Sequence, residues 1–418
     1  MLRSERARAR RTGAVLVKVA ICLPVLIGVL ALNLDGGRLY DERRRVQATA
    51  DAAALAAGAD LYTNSWLNNG TDPAGSARAA AEQVAVANGY PASAVTVSVP
   101  PQSGQYAGQA GHAEVQINTT LGTSFGRVFT GSGMDVSGRA VGRGEPLKLG
   151  IIVLRPTGAG AFVNTAAVFA LVNKPLIVNS NDPLALQSSG LLMLSLSQIN
   201  TTGGAAVTSL LPLNARLTTG ARPTLDPLAF LPVPDETSAP VRSSTPLTIN
   251  SVVPTILQPG VYKGGIRVTG LSIVIMTPGV YIMQGGGFRI DGLATVTGLT
   301  TMVYNTTSST YASGPISITG LGKAIMTAPL SGTYQGINFF QKRGLTQPVT
   351  ITGAGLTTIT GTVYAPQAAV ALTGSAAIGL DILGGAFVAD TMTVGGIGGV
   401  TIDLGLNRPR IPDVRVVE

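Results

Sequence analysis

Between residues 259 and 293 the chain repeats itself. Pro259-Gly260-Val261-Tyr262, then Gly264-Gly265 with Ile266-Arg267-Val268, then Gly270-Leu271, return as Pro278-Gly279-Val280-Tyr281, Gly285-Gly286 with Phe288-Arg289-Ile290, and Gly292-Leu293. Ile318-Thr319-Gly320, Ile351-Thr352-Gly353, Leu372-Thr373-Gly374 and Val394-Gly395-Gly396 continue the series at separations of about 20 or 30 residues. A short β-branched run closed by a glycine turn cannot bury its apolar face alone, so units of this length must stack on their neighbours. The expected fold here is a right-handed parallel β-helix, a solenoid with roughly one coil per 20 residues. A β-sandwich is the alternative, but its strands need no repeated coil motif. Alternation turns Ile266, Val268, Phe288 and Ile290 into the coil and Arg267 and Arg289 out of it. The doubled motif sets Val261 beside Val280 and Tyr262 beside Tyr281, with Ile282 to Gln284 bulging at a corner.

Runs of the same character begin at Leu149, so residues 149–211 are expected to form the first coils. Residues 212–246 carry seven prolines, including Leu231-Pro232-Val233-Pro234, and cannot form a central strand. With Leu228, Phe230 and Leu231 they suit a strap along the side of the domain. The repeats then occupy 247–408, and 409–418 is a tail. Upstream, residues 72–145 form a small α+β domain. Asp72-Pro73 is a helix cap and Asn88-Gly89 a stop, giving a helix from Pro73 to Ala87. Val95, Val97 and Val99 alternate as a strand, as do Ala113, Val115 and Ile117. Leu121, Phe125, Val128 and Phe129 fit a short helix, and Met134 to Val141 a third strand.

Ala14 to Leu34 is an apolar run about 31 Å long as a helix, enough to cross a hydrocarbon core of about 30 Å. Its one charge, Lys18, sits near the start, and Pro24 predicts a kink rather than a break. Five arginines precede the run, and four follow it among Asp35, Asp41 and Glu42. That balance favours a cytoplasmic tail at 1–13, a transmembrane helix at 14–34 and a chain that then lies outside the cytoplasm. A cleavable signal is the rival reading, but its apolar core is normally shorter and closes on a small-residue site. Leu39, Val46, Ala50, Ala53, Ala57 and Leu61 recur at helical spacing, so the helix continues over 35–61.

Gly13-Ala14-Val15, the span with Pro24, Leu34-Asp35-Gly36-Gly37-Arg38-Leu39-Tyr40 and Val46-Gln47-Ala48-Thr49-Ala50-Asp51-Ala52-Ala53-Ala54-Leu55-Ala56 together resemble the N-terminal module of the bacterial TadE/TadG-like Flp pilus-assembly family. The resemblance implies a structural or assembly role in an Flp-type pilus, anchorage in the cytoplasmic membrane and other envelope proteins as partners. Relatives trimmed by a prepilin peptidase carry a glutamate where this chain has Lys18, so the resemblance does not extend to that processing. The Gly/Thr-rich repeats, with Tyr364-Ala365-Pro366, resemble β-helical regions appended to the same module in large envelope proteins.

Composition removes several chemistries. The net charge is +8, but residues 1–60 hold ten Lys/Arg against six Asp/Glu, and no basic run follows. Nucleic acid is therefore not an expected partner. Cys22 is the one cysteine and lies in the apolar run, and His112 is the one histidine. Disulfides within the chain, zinc clusters and Ser-His or Cys-His catalysis are thereby excluded. Some members of the pilus-assembly family continue into a metal-binding domain whose first strand ends in Asp-x-Ser-x-Ser, but here Leu149 to Leu154 is followed by Arg155-Pro156-Thr157-Gly158-Ala159. From Val241 onward the carboxylates are isolated, and β-helical polysaccharide cleavage needs them grouped. No catalytic, cofactor or metal residues are assigned. Tyr304, Tyr311, Tyr334, Phe339, Phe340 and Tyr364, with Lys342 and Arg343, either fill core layers or form a platform for sugar rings. Glycan binding is thus the second functional expectation.

Overall fold

The computed structural model describes residues 5–65, 70–122, 133–146, 149–172, 175–195, 198–208, 210–213, 216–353, 356–374, 381–397, 399–402, 409 and 411–418. It contains two compact units, residues 1–147 with 412–418, and residues 148–411. The second unit is therefore inserted into the first.

In the first unit one helix, α1 (Glu5–Asp60), runs unbroken through Pro24 and ends in a π-helical turn over Leu61–Ser65. A second helix, α2 (Ser76–Ala87), buries Ala77, Ala81 and Ala85. The helix expected from Pro73 starts three residues later, because Gly75 adopts a left-handed conformation (φ 73°) and turns the chain. Asp72 still serves the helix start, accepting the Arg78 backbone N–H at 3.1 Å. Strands β1 (Val95–Ser98), β2 (His112–Leu121), β3 (Met134–Pro146) and β4 (Pro412–Val416) form an antiparallel sheet in that order. The tail expected at 409–418 is thus corrected: β4 pairs Gly142 with Val416 and Pro146 with Pro412. Five residues whose partner lies some 270 positions upstream carry no local signal of that pairing. Of the short helix expected around Leu121, Phe125, Val128 and Phe129, only Leu121 lies among the described residues, at the end of β2.

The second unit is a parallel β-solenoid with one strand per coil in a 10-stranded sheet and, for most coils, two in a 19-stranded sheet. We number the coils in stacking order. Coils 1 to 7 comprise residues 241–257, 260–276, 279–298, 301–327, 337–360, 362–384 and 387–402. Coils 8, 9 and 10 comprise 151–172, 176–195 and 198–213, and the strand Arg216–Thr219 follows. The expected first coils are therefore the last in the stack. The chain enters mid-stack at Ile151, winds out to Thr219, crosses to the far end, and winds back until coil 7 meets coil 8. At that seam Phe387, Val388 and Ala389 pair with Ile151, Ile152 and Val153, and Gly399 to Ile402 pair with Val168 to Leu171. Arg155, which stands where a metal ligand would be needed, instead binds Asp390 across the seam, Nε to Oδ2 at 3.0 Å. Parallel coil edges all offer the same hydrogen bonds, so stacking need not follow chain order.

The crossing segment is shorter than 212–246. Leu210–Leu213, Arg216–Thr219 and Val241–Ser243 are strands, leaving residues 220–240 as the strap. Pro212 is tolerated because its strand is the edge of its sheet. Stacked strands are about 4.8 Å apart, so ten steps span roughly 48 Å, within the roughly 70 Å that 21 extended residues can reach.

Within the repeats, Ile266, Arg267 and Val268 pair with Phe288, Arg289 and Ile290. The four apolar side chains are buried, while Arg267 is exposed and binds Asp291 at 2.8 Å. Arg289 is half-buried. The preceding strand slides by two: Gly260 pairs with Tyr281 and Val261 with Ile282, so Ile282 to Gln284 are paired strand rather than a bulge. Pro259 fills the space where a Gly279 side chain would stand. A slide of two keeps every side chain on its own face, and the Tyr262 and Tyr281 rings still stack at 6.1 Å.

Candidate functional site

Two constructions stand apart from ordinary core packing. The first is in the α1 unit. From Val15 the helix is exposed and apolar, with Leu16 at 72 %, and its most apolar window has a mean hydropathy of 2.7. By length and composition it can cross a membrane. The same helix then becomes core, burying Val46, Ala50, Ala53, Ala54, Ala57 and Leu61. Its seat is β3, where Gly138, Ala140, Gly142 and Gly144 alternate onto one face. A side chain at Gly142 would meet the Ala54 carbonyl oxygen at 1.9 Å, and one at Gly144 the Gly58 carbonyl oxygen at 1.9 Å. Helix backbone thus lies on strand backbone along a glycine track. The Gln47 amide completes the seat, donating to the Arg139 carbonyl at 2.8 Å and accepting its N–H at 3.3 Å.

Polar side chains lock the surroundings. Tyr90 donates to Glu42 at 2.9 Å and lies under Arg45, which reaches the Asn88 carbonyl at the end of α2 at 3.1 Å. Burial, then Glu42, pushes the Tyr90 hydroxyl up to about 12. Glu114 is 3 % exposed and accepts from Arg139 Nε at 2.6 Å and from the backbone N–H groups of Gln102 and Ser103 at 2.8 and 3.2 Å. Burial alone would raise its pKa. The bonds from Ser103, Arg139 and the two backbone groups overturn that and hold it at about 2.

The second construction is the strap over the solenoid. Ile152, Val388, Tyr364, Phe340, Tyr304 and Ile282 form a column in register across coils 8 to 3, on the outer face of the larger sheet. All six are nonetheless buried, and the strap contributes the buried Leu228 and Leu231. Its polar contacts descend the stack in order: Thr224 pairs with Asn179 of coil 9 at 2.7 and 2.9 Å, and Asp226 accepts from Tyr364 of coil 6 at 2.7 Å. Arg343 of coil 5 donates to the Leu228 and Leu231 carbonyls at 2.7 and 3.0 Å and to Tyr364 at 2.8 Å. Glu236 then accepts from Thr306 and Gln284 at 2.9 and 3.0 Å, and Val261 N–H reaches the Pro240 carbonyl at 2.8 Å. Burial and the Asp226 carboxylate raise the Tyr364 hydroxyl, keeping it a neutral donor.

Of the aromatics read as a platform or core filling, Tyr304, Phe339, Phe340 and Tyr364 are fully buried, while Tyr311 and Tyr334 are half-buried. Tyr334 lines a cleft of about 410 Å³ with Pro234, Pro240, Pro259, Val280 and Ile282, rimmed by Asp235 and Arg242. Among the described residues no three His, Cys, Asp or Glu side chains lie where they could hold a metal ion. The glycine track was missed from sequence, although Gly138-x-Ala140-x-Gly142-x-Gly144 is a visible signal for close backbone approach. The Asp226-Tyr364-Arg343 latch has no such signal, since Asp226 lies more than a hundred residues from its two partners.

Residues 13–60 match the family model described as putative Flp pilus-assembly TadE/G-like. Residues 279–408, from coil 3 through coil 7, match that of a domain of unknown function, DUF7305. No curated protein and no solved structure matches.

Proposed function

We propose that this chain, which joins a TadE/G-like module to a strapped β-solenoid, is a single-pass bacterial envelope protein with a structural, non-catalytic role in assembling or docking an Flp-type, tight-adherence pilus. It is anchored in the cytoplasmic membrane by residues 14–34, with residues 1–13 cytoplasmic and the bulk outside, and its partners are other pilus-assembly or envelope proteins. The observation that carries this reading, beside the match over 13–60, is the continuity of α1 from its apolar stretch into the core over β3. An anchor that is also the core helix transmits a displacement of the membrane span to the folded unit without a flexible joint. Deleting the chain's coding sequence should remove surface filaments seen by electron microscopy, and the intact chain should restore them. Filaments unaffected by the deletion would refute the role. Protease added to spheroplasts should digest the solenoid; protection of everything beyond residue 35 would refute the orientation.

The Tyr334 cleft favours a second reading, glycan binding by the solenoid. Its aromatic ring and the rim groups Asp235 and Arg242 suit a sugar's apolar face and hydroxyls. Glycan-array binding by the intact chain, lost in Tyr334→Ala, supports it; a silent array rejects it.

A further inference from the structure

In coils 2, 3 and 4 the chain turns a corner after its second strand, and the residue following the corner glycine is a leucine. Gly270-Leu271, Gly292-Leu293 and Gly320-Leu321 occupy this place in coils 2, 3 and 4. Leu293 N–H bonds to the Gly270 carbonyl at 2.8 Å and Leu321 N–H to the Gly292 carbonyl at 2.6 Å, so the leucines stand directly above one another. Val252 leads the ladder from coil 1. Beside it, on the outer face of the 10-stranded sheet, Ile256 pairs with Ile275, which continues in register to Thr297 and Ile325. Val252, Ile256, Leu271, Ile275, Leu293 and Leu321 are 43 to 67 % exposed. This is the reverse of the strapped column, where outward apolar side chains are covered.

The geometry points to a second copy of this chain as the occupant of this ladder. At about 100 Å² each, six such side chains offer roughly 600 Å² per copy. A pair would then bury about 1,200 Å², the lower bound for a stable specific interface. Scattered exposed leucines need no explanation, but a contiguous apolar patch of this size does. The side chains repeat at the coil spacing of about 4.8 Å, and a surface with the same spacing is the ladder itself, so two copies interdigitate along their whole length. A two-fold arrangement is self-complementary. It also separates the one charge on the face. Among the outward strand residues of coils 1 to 4 on this sheet only Lys323 is charged. Because it lies in coil 4, the two-fold places the two lysines at opposite ends. An anionic membrane surface would call for a basic rim, which one lysine does not make.

The test uses the full chain in detergent with Cys22→Ser, carrying Leu271→Cys, Leu293→Cys or Leu321→Cys singly, and Thr310→Cys as an exposed control in the same unit. A short bismaleimide should convert most of the Leu271→Cys and Leu293→Cys variants to a covalent dimer, join Leu321→Cys far less because the two-fold sets its two copies at opposite ends of the ladder, and leave the Thr310→Cys variant monomeric. Adding Leu271→Asp to the Leu293→Cys variant should cut the dimer yield at least tenfold while the circular dichroism of the folded chain stays unchanged, since these side chains are exposed in a single copy. Equal cross-linking at all four positions would mean that another part of the chain drives association. Leu271→Cys and Leu293→Cys variants that stay monomeric, whether freely labelled or shielded within one copy, would overturn the proposal. So would products joined to a different protein or to lipid.

Discussion

Glycine does opposite work in the two units. Along β3, Gly138, Gly142 and Gly144 are in ordinary extended conformation and matter for what they lack, because any side chain would strike the α1 backbone. In the solenoid, Gly264, Gly265, Gly270, Gly285, Gly286 and Gly292 have φ between 65 and 78°, a region that L side chains enter at a cost of about 1–2 kcal/mol. The first set buys closeness and the second buys turns. A unit built on closeness fails as a whole when one contact is spoiled, whereas a stack of coils distributes the damage among neighbours.

The sharpest way to break this contrast is Gly142→Val. Its β-carbon alone collides with the Ala54 carbonyl, so we expect a loss of about 4 kcal/mol and faster hydrogen exchange over residues 46–58, with the solenoid amides unchanged. Acid should separate the units next. Glu114 is held at about 2, below its unfolded value of about 4.5, so its contribution is fully present above pH 4.5. It fades as pH falls toward 2, by roughly 3 kcal/mol in all. Thermal melts across that range should show the α1 unit losing stability, and Glu114→Gln should flatten the dependence. Arg343→Ala removes two bonds to the strap and one between coils 5 and 6, and should cost about 2 kcal/mol with new protease cutting between residues 220 and 240. Smallest is Gly292→Ala, at about 1–2 kcal/mol, read as a modest drop in the solenoid's denaturant midpoint with exchange rising only in the adjoining coils.

The aromatics illustrate how far local pattern carries. Tyr304, Phe340 and Tyr364 alternate with inward residues, so pattern turns them outward, as the structure does; yet they are buried. Alternation decides which face a side chain takes, not whether something later in the chain covers that face. The same holds for Ile256 and Ile275, which alternate outward in the same way but are left bare.

From sequence alone came the solenoid, the long apolar helix continuing into an alanine-rich stretch, and the pairing of Ile266-Arg267-Val268 with Phe288-Arg289-Ile290. Each rests on a period or a length, and these act within a few tens of residues. Tertiary structure decided that coils 8 to 10 cap the repeats instead of preceding them, and that residues 412–418 close the sheet of the first unit. It also slid Tyr262 two places from Tyr281. The physical reason is common to all three: a β edge offers the same row of donors and acceptors to any strand. The choice of partner then falls to packing, to where Pro259 fits against Gly279, and to whether 21 residues of strap are long enough to return.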